Sequence, residues 1–183
     1  MKFGEVIKTF QSKKGNTVVF RYPKKSDLDQ MLAFANELIA EDTYILLSGK
    51  PLTKEEEQKF LNDLLKSIRK RETVSLYAFS DGKMIGSTSV RREEYRNSHM
   101  GVPGIAVLQQ FRNEGIGFVL FKEMIEESKK MGLRLLVLHC FEGNDRALRM
   151  YEQFGFRRIG VIPEAALFKG TYIGEVIMYL PLV

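Results

Sequence analysis

The stretch VLQQFRNEGIG, Val107 to Gly117, decides how the chain is read. Apolar residues up to Leu108 end a strand, Gln109 to Glu114 form a short polar turn, and Gly115-Ile116-Gly117 opens a helix running to about Met131. Glycines at such a start expose backbone N–H groups. Together with the positive end of the helix dipole these make a ready anion site, and Arg112 adds a fixed positive charge beside it. A pyrophosphate would fit. Two nucleotide loops are excluded: Gly115 to Leu120 lacks the third glycine of a dinucleotide fingerprint, and no Gly-Lys-Ser/Thr closes a phosphate loop. The two glycines also have a plainer reading, as the small residues that let a helix start pack tightly on a strand.

Working back from this stretch, a strand over Val102 to Leu108 contains Pro103 and Gly104 and follows Gly101, a composition that predicts a bent, bulged or partly unpaired edge. Val74 to Phe79, Asp81-Gly82 and Met84 to Arg91 read as two strands and a tight turn. Two amphipathic helices come earlier. One is capped by Ser26, carries Leu28, Met31, Leu32, Ala35, Leu38 and Ile39, and ends near Asp42. The other follows Pro51, with Thr53 and Glu56 as a capping box and Phe60, Leu61, Leu64, Leu65 and Ile68 as its apolar stripe. A hairpin at about 5–22, turning at Lys13-Lys14-Gly15-Asn16, begins the chain. Working forward, a strand is expected over Leu133 to Cys140, a helix over about Asn144 to Phe154, and closing strands near Arg157 to Ile162 and Glu175 to Leu180. This alternation predicts a mixed sheet covered on both faces: a single three-layer α/β/α domain over residues 1–183.

Composition agrees. Of 183 residues, 44% are hydrophobic, and 28 Lys+Arg against 23 Asp+Glu give a net charge of +5. The chain is long enough to bury a substantial core. One cysteine cannot form an internal disulfide or a thiolate zinc cluster, so no metal site is expected and a reducing, cytoplasmic setting fits. The start, Met1-Lys2-Phe3-Gly4-Glu5, has no apolar signal-peptide core, and no stretch approaches the ~18 uncharged apolar residues of a spanning helix, so no membrane association is expected. Basic residues are scattered among acidic ones, which argues against nucleic-acid binding.

Arg112-x-x-Gly115-x-Gly117, followed by a strand and then by Asn144, Ala147, Tyr151, Gly155 and Phe156 in the pattern Asn-x-x-Ala-x-x-x-Tyr-x-x-x-Gly-Phe, resembles the GNAT superfamily of acyl-CoA-dependent N-acetyltransferases. The resemblance is specific over about Ile105 to Phe156, with the cofactor-binding core at about 101–156. It implies a mostly antiparallel sheet splayed at the cofactor site. It also implies that Arg112, Asn113, Glu114, Gly115, Ile116 and Gly117 wrap the pyrophosphate of acetyl-CoA, while Ile105, Ala106 and Val107 offer backbone groups to the pantetheine arm. Asn144 would contact the cofactor, or simply cap its helix. Tyr151 would protonate the departing thiolate, or be a core residue with a satisfied hydroxyl.

The base is read differently. The family's glutamate on the bulged strand has no counterpart in His99-Met100-Gly101-Val102-Pro103-Gly104, which contains no carboxylate. Other members of the family that the chain resembles, the ribosomal-protein N-terminal acetyltransferases among them, carry a glutamate on the next strand, twelve residues before the tyrosine. That position is His139 here. An imidazole can take an ammonium proton near neutral pH, so His139 is either the base or a packing residue. Cys140, on the other face of the strand, reads as a buried structural thiol.

The expected reaction is direct attack of a primary amine on acetyl-CoA in a ternary complex, the amine belonging to a small molecule or to a protein N-terminus or lysine. A non-catalytic acyl-CoA sensor is the alternative. Glu37, Glu41 and Asp42 could hold a second positive charge of a polyamine or basic peptide, or be an ordinary solvated helix face. Tyr44, Phe168 and Tyr172 could line the same opening, or pack. A homodimer stays open.

Overall fold

Gly and Asp residues set the hairpin turns. Gly15 takes φ +86° in the turn that joins β1 (Val6–Gln11) to its antiparallel partner β2 (Thr17–Arg21). The structure is a computed structural model and describes residues 2–182. Asp81 and Gly82, at φ +48° and +78°, connect β3 (Thr73–Ser80) to β4 (Lys83–Arg92), positive φ at both central positions being what a tight hairpin turn requires.

The first helix departs from its expected start. Lys25–Asp27 forms a turn of 3-10 helix through Ser26, and α1 (Leu28–Glu41) begins after it, so Ser26 is not the cap. Asp27 occupies that position, and its carboxylate is bound by Arg21 at 2.7 and 2.8 Å and by the Lys24 N–H at 2.9 Å. Asp42, at φ +42°, closes the helix as expected. The capping box of α2 (Lys54–Arg69) is formed in both directions: the Thr53 N–H donates to Glu56 Oε2 at 2.8 Å and the Glu56 N–H to Thr53 Oγ1 at 3.3 Å. Phe60, expected on the buried stripe, is 56% exposed, while Leu61, Leu64, Leu65 and Ile68 are buried.

The remaining elements are β5 (Met100–Val107), α3 (Ile116–Lys130), β6 (Leu135–Phe141), α4 (Asp145–Gln153), β7 (Arg157–Phe168) and β8 (Thr171–Pro181). The described residues thus form one mixed sheet of eight strands, ordered β1-β2-β3-β4-β5-β6-β8-β7, with four α-helices. β5 and β6 run parallel, in register only at Met100↔Leu135 and Gly101↔Leu136. That register stops short of Pro103, which has no N–H to donate, as the composition of the strand predicts. The closing strands are longer than expected. A shift between Ile162 and Ala166, with Glu164 at φ +54°, carries β7 past Pro163 as a bulge and on to the Lys169-Gly170 turn.

The chain separates into two compact units. One comprises the chain up to Arg91 with Gly104–Met131, the other Arg92–Pro103 with the chain from Gly132 onward. In the first, Phe20, Met31, Leu61, Leu76, Ile85, Leu120 and Phe121 are fully or almost fully buried. In the second, Leu136, Leu138, Leu148, Phe156 and Met178 are buried. No described helix is long and apolar enough to cross a membrane.

Candidate functional site

The turn that follows β5 is held from two sides within the first unit. After Val107 the Leu108 N–H donates to Ile85 O at 3.0 Å, and Gln109–Phe111 forms a short 3-10 turn. Asn113, at φ +67°, and Gly115, at φ +83°, then reverse the chain into α3. Glu41, at the end of α1, accepts from the Gln109 N–H at 2.7 Å and pairs with the Arg112 guanidinium. Arg112 Nε also donates to Val107 O at 2.8 Å. Glu37 accepts from Gln110 Nε2 at 3.0 Å and pairs with Lys83 at 2.8 Å. These two carboxylates, which in the sequence could have awaited a cationic acceptor, are therefore spent on holding the turn.

Glu114 holds it from the other side. Only 1% exposed, its carboxylate accepts from Ser12 Oγ at 2.7 Å and Asn16 Nδ2 at 3.0 Å and lies 3.1 Å from Lys14 Nζ. The Lys13 N–H donates to its carbonyl at 3.1 Å. The Ser12 hydrogen bond, opposed by burial and supported by Lys14 and Asn16, keeps the carboxyl below its ordinary range. Of the turn residues expected to hold a pyrophosphate, Glu114 thus has only its backbone N–H to give.

Gly115 and Gly117 are glycines for different reasons. Gly115 has a left-handed backbone, which a side chain would strain. Gly117 is helical, and a Cβ there would meet Val107 Cγ2 at 3.5 Å and Ile105 Cδ1 at 3.7 Å, ordinary contact distances. Packing does not demand glycine at 117. The first N–H groups of a helix have no carbonyl four residues back, so a bare α-carbon at this point suits the close approach of an anionic group.

In the second unit, β6 turns Cys140 inward and His139 outward. Burial raises the Cys140 thiol to about 11, which keeps it protonated and unreactive at neutral pH. The side chain of His139 is 45% exposed, and its Nδ1 lies 3.2 Å from Glu175 Oε2 on β8. Asn144 caps α4, its Oδ1 accepting from the Ala147 N–H at 3.3 Å, which leaves the side-chain N–H groups as what it can offer a ligand.

Tyr151 is 7% exposed and packs on Phe156, ring centroids 5.7 Å apart. Gly155, at φ +89°, ends the helix, and the Phe156 N–H returns to Tyr151 O at 3.1 Å, so the Tyr-x-x-x-Gly-Phe spacing is a helix stop that fastens one ring on the other. Burial first, then the neighbouring Cys140, pushes the phenol well above the ordinary tyrosine range. Glu175 and Ser12 escaped the sequence reading, and Glu41 was read there for the acceptor rather than as the partner of Arg112, because each meets its partner only through long-range packing. No group of three metal-ligating side chains occurs among the described residues.

The sequence model of the acetyltransferase (GNAT) family matches residues 35–156. An L-amino acid N-acetyltransferase of Escherichia coli (strain K12), AaaT, is 30% identical over 100 residues, 54% of this chain and 62% of that protein, so the match spans less than two-thirds of the relative's length. Among solved structures, the acetyltransferase of the GNAT family from Streptococcus pneumoniae is 27% identical with a TM-score of 0.81, covering 90% of this chain and 99% of that one. A GNAT superfamily phosphinothricin acetyltransferase from Sinorhizobium meliloti, in complex with acetyl-CoA, shares the fold at 17% identity and a TM-score of 0.75, covering 90% of this chain and 88% of that one. With more than half of its length matched by the family model, the chain belongs to the acetyltransferase (GNAT) family.

Proposed function

We propose that the chain is an N-acetyltransferase that moves an acetyl group from acetyl-CoA to a primary amine by direct attack. Gly117 carries this reading: its α-carbon is bare where an added Cβ would make only ordinary contacts, on the turn whose backbone the family uses for a pyrophosphate. In this reading the turn Arg112 to Gly117 holds the pyrophosphate through the N–H groups of Asn113 to Gly117, the Arg112 N–H being given to Gln109 O at 3.2 Å; the backbone of Ile105 to Val107 holds the pantetheine arm, and an Asn144 side-chain N–H donates to the cofactor. Acetyl-CoA supplies an activated acyl group as a thioester. His139 takes a proton from the acceptor ammonium and frees the nitrogen lone pair to form the C–N bond. Tyr151 gives its hydroxyl proton to the sulfur as the C–S bond breaks. Once the C–N bond has formed the nitrogen loses its second proton to solvent; solvent also reprotonates Tyr151 and receives the proton from His139, so of the two protons the ammonium gives up one ends on the thiol and one is released per turnover. Burial would raise a thiolate beside Tyr151 as it raises the phenol itself, so the two acidities move together.

The acceptor is a primary amine of a small molecule or of a polypeptide. Thiol release measured against amino acids, polyamines and N-terminal peptides should identify one active class. Tyr151→Phe should lower kcat by about 100-fold or more with little change in the KM for acetyl-CoA, since the lost group serves proton transfer and the ring still packs. Saturable binding of acetyl-CoA with no release on any acceptor would instead favour a sensor.

A further inference from the structure

We propose that Glu175 positions His139 as the base of this reaction, so that a histidine and a carboxylate from adjacent strands share the work; this rests on the transferase reading above. The β6–β8 register pairs Phe141 with Glu175 and His139 with Ile177. Glu175 therefore lies diagonally across from His139, on the same sheet face and two positions along. Their side chains meet, Nδ1 to Oε2, at 3.2 Å. The carboxylate is the more enclosed member, its side chain 18% exposed against 45% for the imidazole.

A neutral imidazole has one N–H, and a carboxylate can only accept. Glu175 thus draws that hydrogen to Nδ1 and leaves the lone pair on Nε2, the nitrogen a base needs. It also stabilises the imidazolium that forms on taking the amine proton, and keeps the Nδ1 hydrogen throughout. Two neighbouring charges are placed elsewhere. Arg158 pairs with Glu152, its Nε donating at 3.1 Å. The Glu142 carboxylate lies over Gly174, where an added Cβ would stand 2.6 Å from Oε2.

The histidine side chains can be followed directly, because His99 and His139 are the only two. Long-range proton–nitrogen spectra of the full chain, labelled with nitrogen-15 and assigned with His139→Ala, report which nitrogen carries the hydrogen. The expected result is the Nδ1–H form of His139 in the wild type. Glu175→Gln should lose that preference and lower kcat about tenfold or more, with the KM for acetyl-CoA and the thermal midpoint unchanged, and Glu175→Asp should recover part of the rate. A Glu175→Gln enzyme with the wild-type rate and tautomer, while His139→Ala is slow, would overturn the positioning role and leave the transferase reading standing. Wild-type turnover by His139→Ala would remove the base and this proposal with it. A wild type that releases no thiol on any amine would overturn the transferase reading itself.

Discussion

Glu114 shows how much one covered charge can organise. Its carboxylate is enclosed by Ser12, Lys14 and Asn16, all from the turn between β1 and β2, and its own backbone belongs to the turn that opens α3. Because the folded pKa lies below the 4.5 of a free glutamate, the carboxylate contributes stability that is fully present above about pH 4.5 and is lost as pH falls through the lower folded value. Thermal unfolding followed from pH 6 down to pH 3.5 should therefore show a smaller loss of midpoint for Glu114→Gln than for the wild type. The same variant should bind acetyl-CoA more weakly at pH 7, by about fivefold, since a neutral amide holds Ser12 and Lys14 less firmly and the turn with them. An unchanged affinity would mean that the turn keeps its shape without the hairpin's help.

At the scale of elements, local chemistry was legible and long-range pairing was not. The capping box of α2 and the Asp81-Gly82 turn rest on residues close in sequence, and each forms as its spacing predicts. Thr53→Ala should cost about 1 kcal/mol in urea unfolding, the ordinary worth of such a cap, without affecting turnover. The start of α1 misled for a physical reason: Asp27 serves Arg21 and Lys24, and a 3-10 turn runs through Ser26 before the α-helix begins. Pro163 looks like the end of a strand, yet it sits on β7, last in the sheet order, where a missing N–H is tolerated and a bulge absorbs the extra length. The candidate site divides the same way. Gly115, Gly117, Asn144, Tyr151, Gly155 and Phe156 were singled out by the family resemblance that their pattern carries. The residues that hold or orient the site could not be paired from the sequence, for Glu41 meets Arg112 across 71 positions, Ser12 meets Glu114 across 102, and Glu175 meets His139 across 36.

At the scale of the whole molecule, each of the two units has its own buried core and carries its own share of the proposed chemistry: anion-binding backbone in the first, proton-handling side chains in the second. A net charge of +5 favours a polyanionic ligand in general, so affinity alone would not separate a built cofactor site from diffuse attraction. Diffuse attraction is spread over the surface and is screened by salt, whereas a built site fails when one atom of its wall is changed. Calorimetric titration with acetyl-CoA at physiological salt, on the wild type and on Gly117→Leu, tests this most directly. The expected result is saturable one-to-one binding by the wild type and at least about tenfold weaker binding by the variant, with an unchanged unfolding midpoint; no binding by the wild type, or equal binding by both, would mean that the turn before α3 does not hold the cofactor.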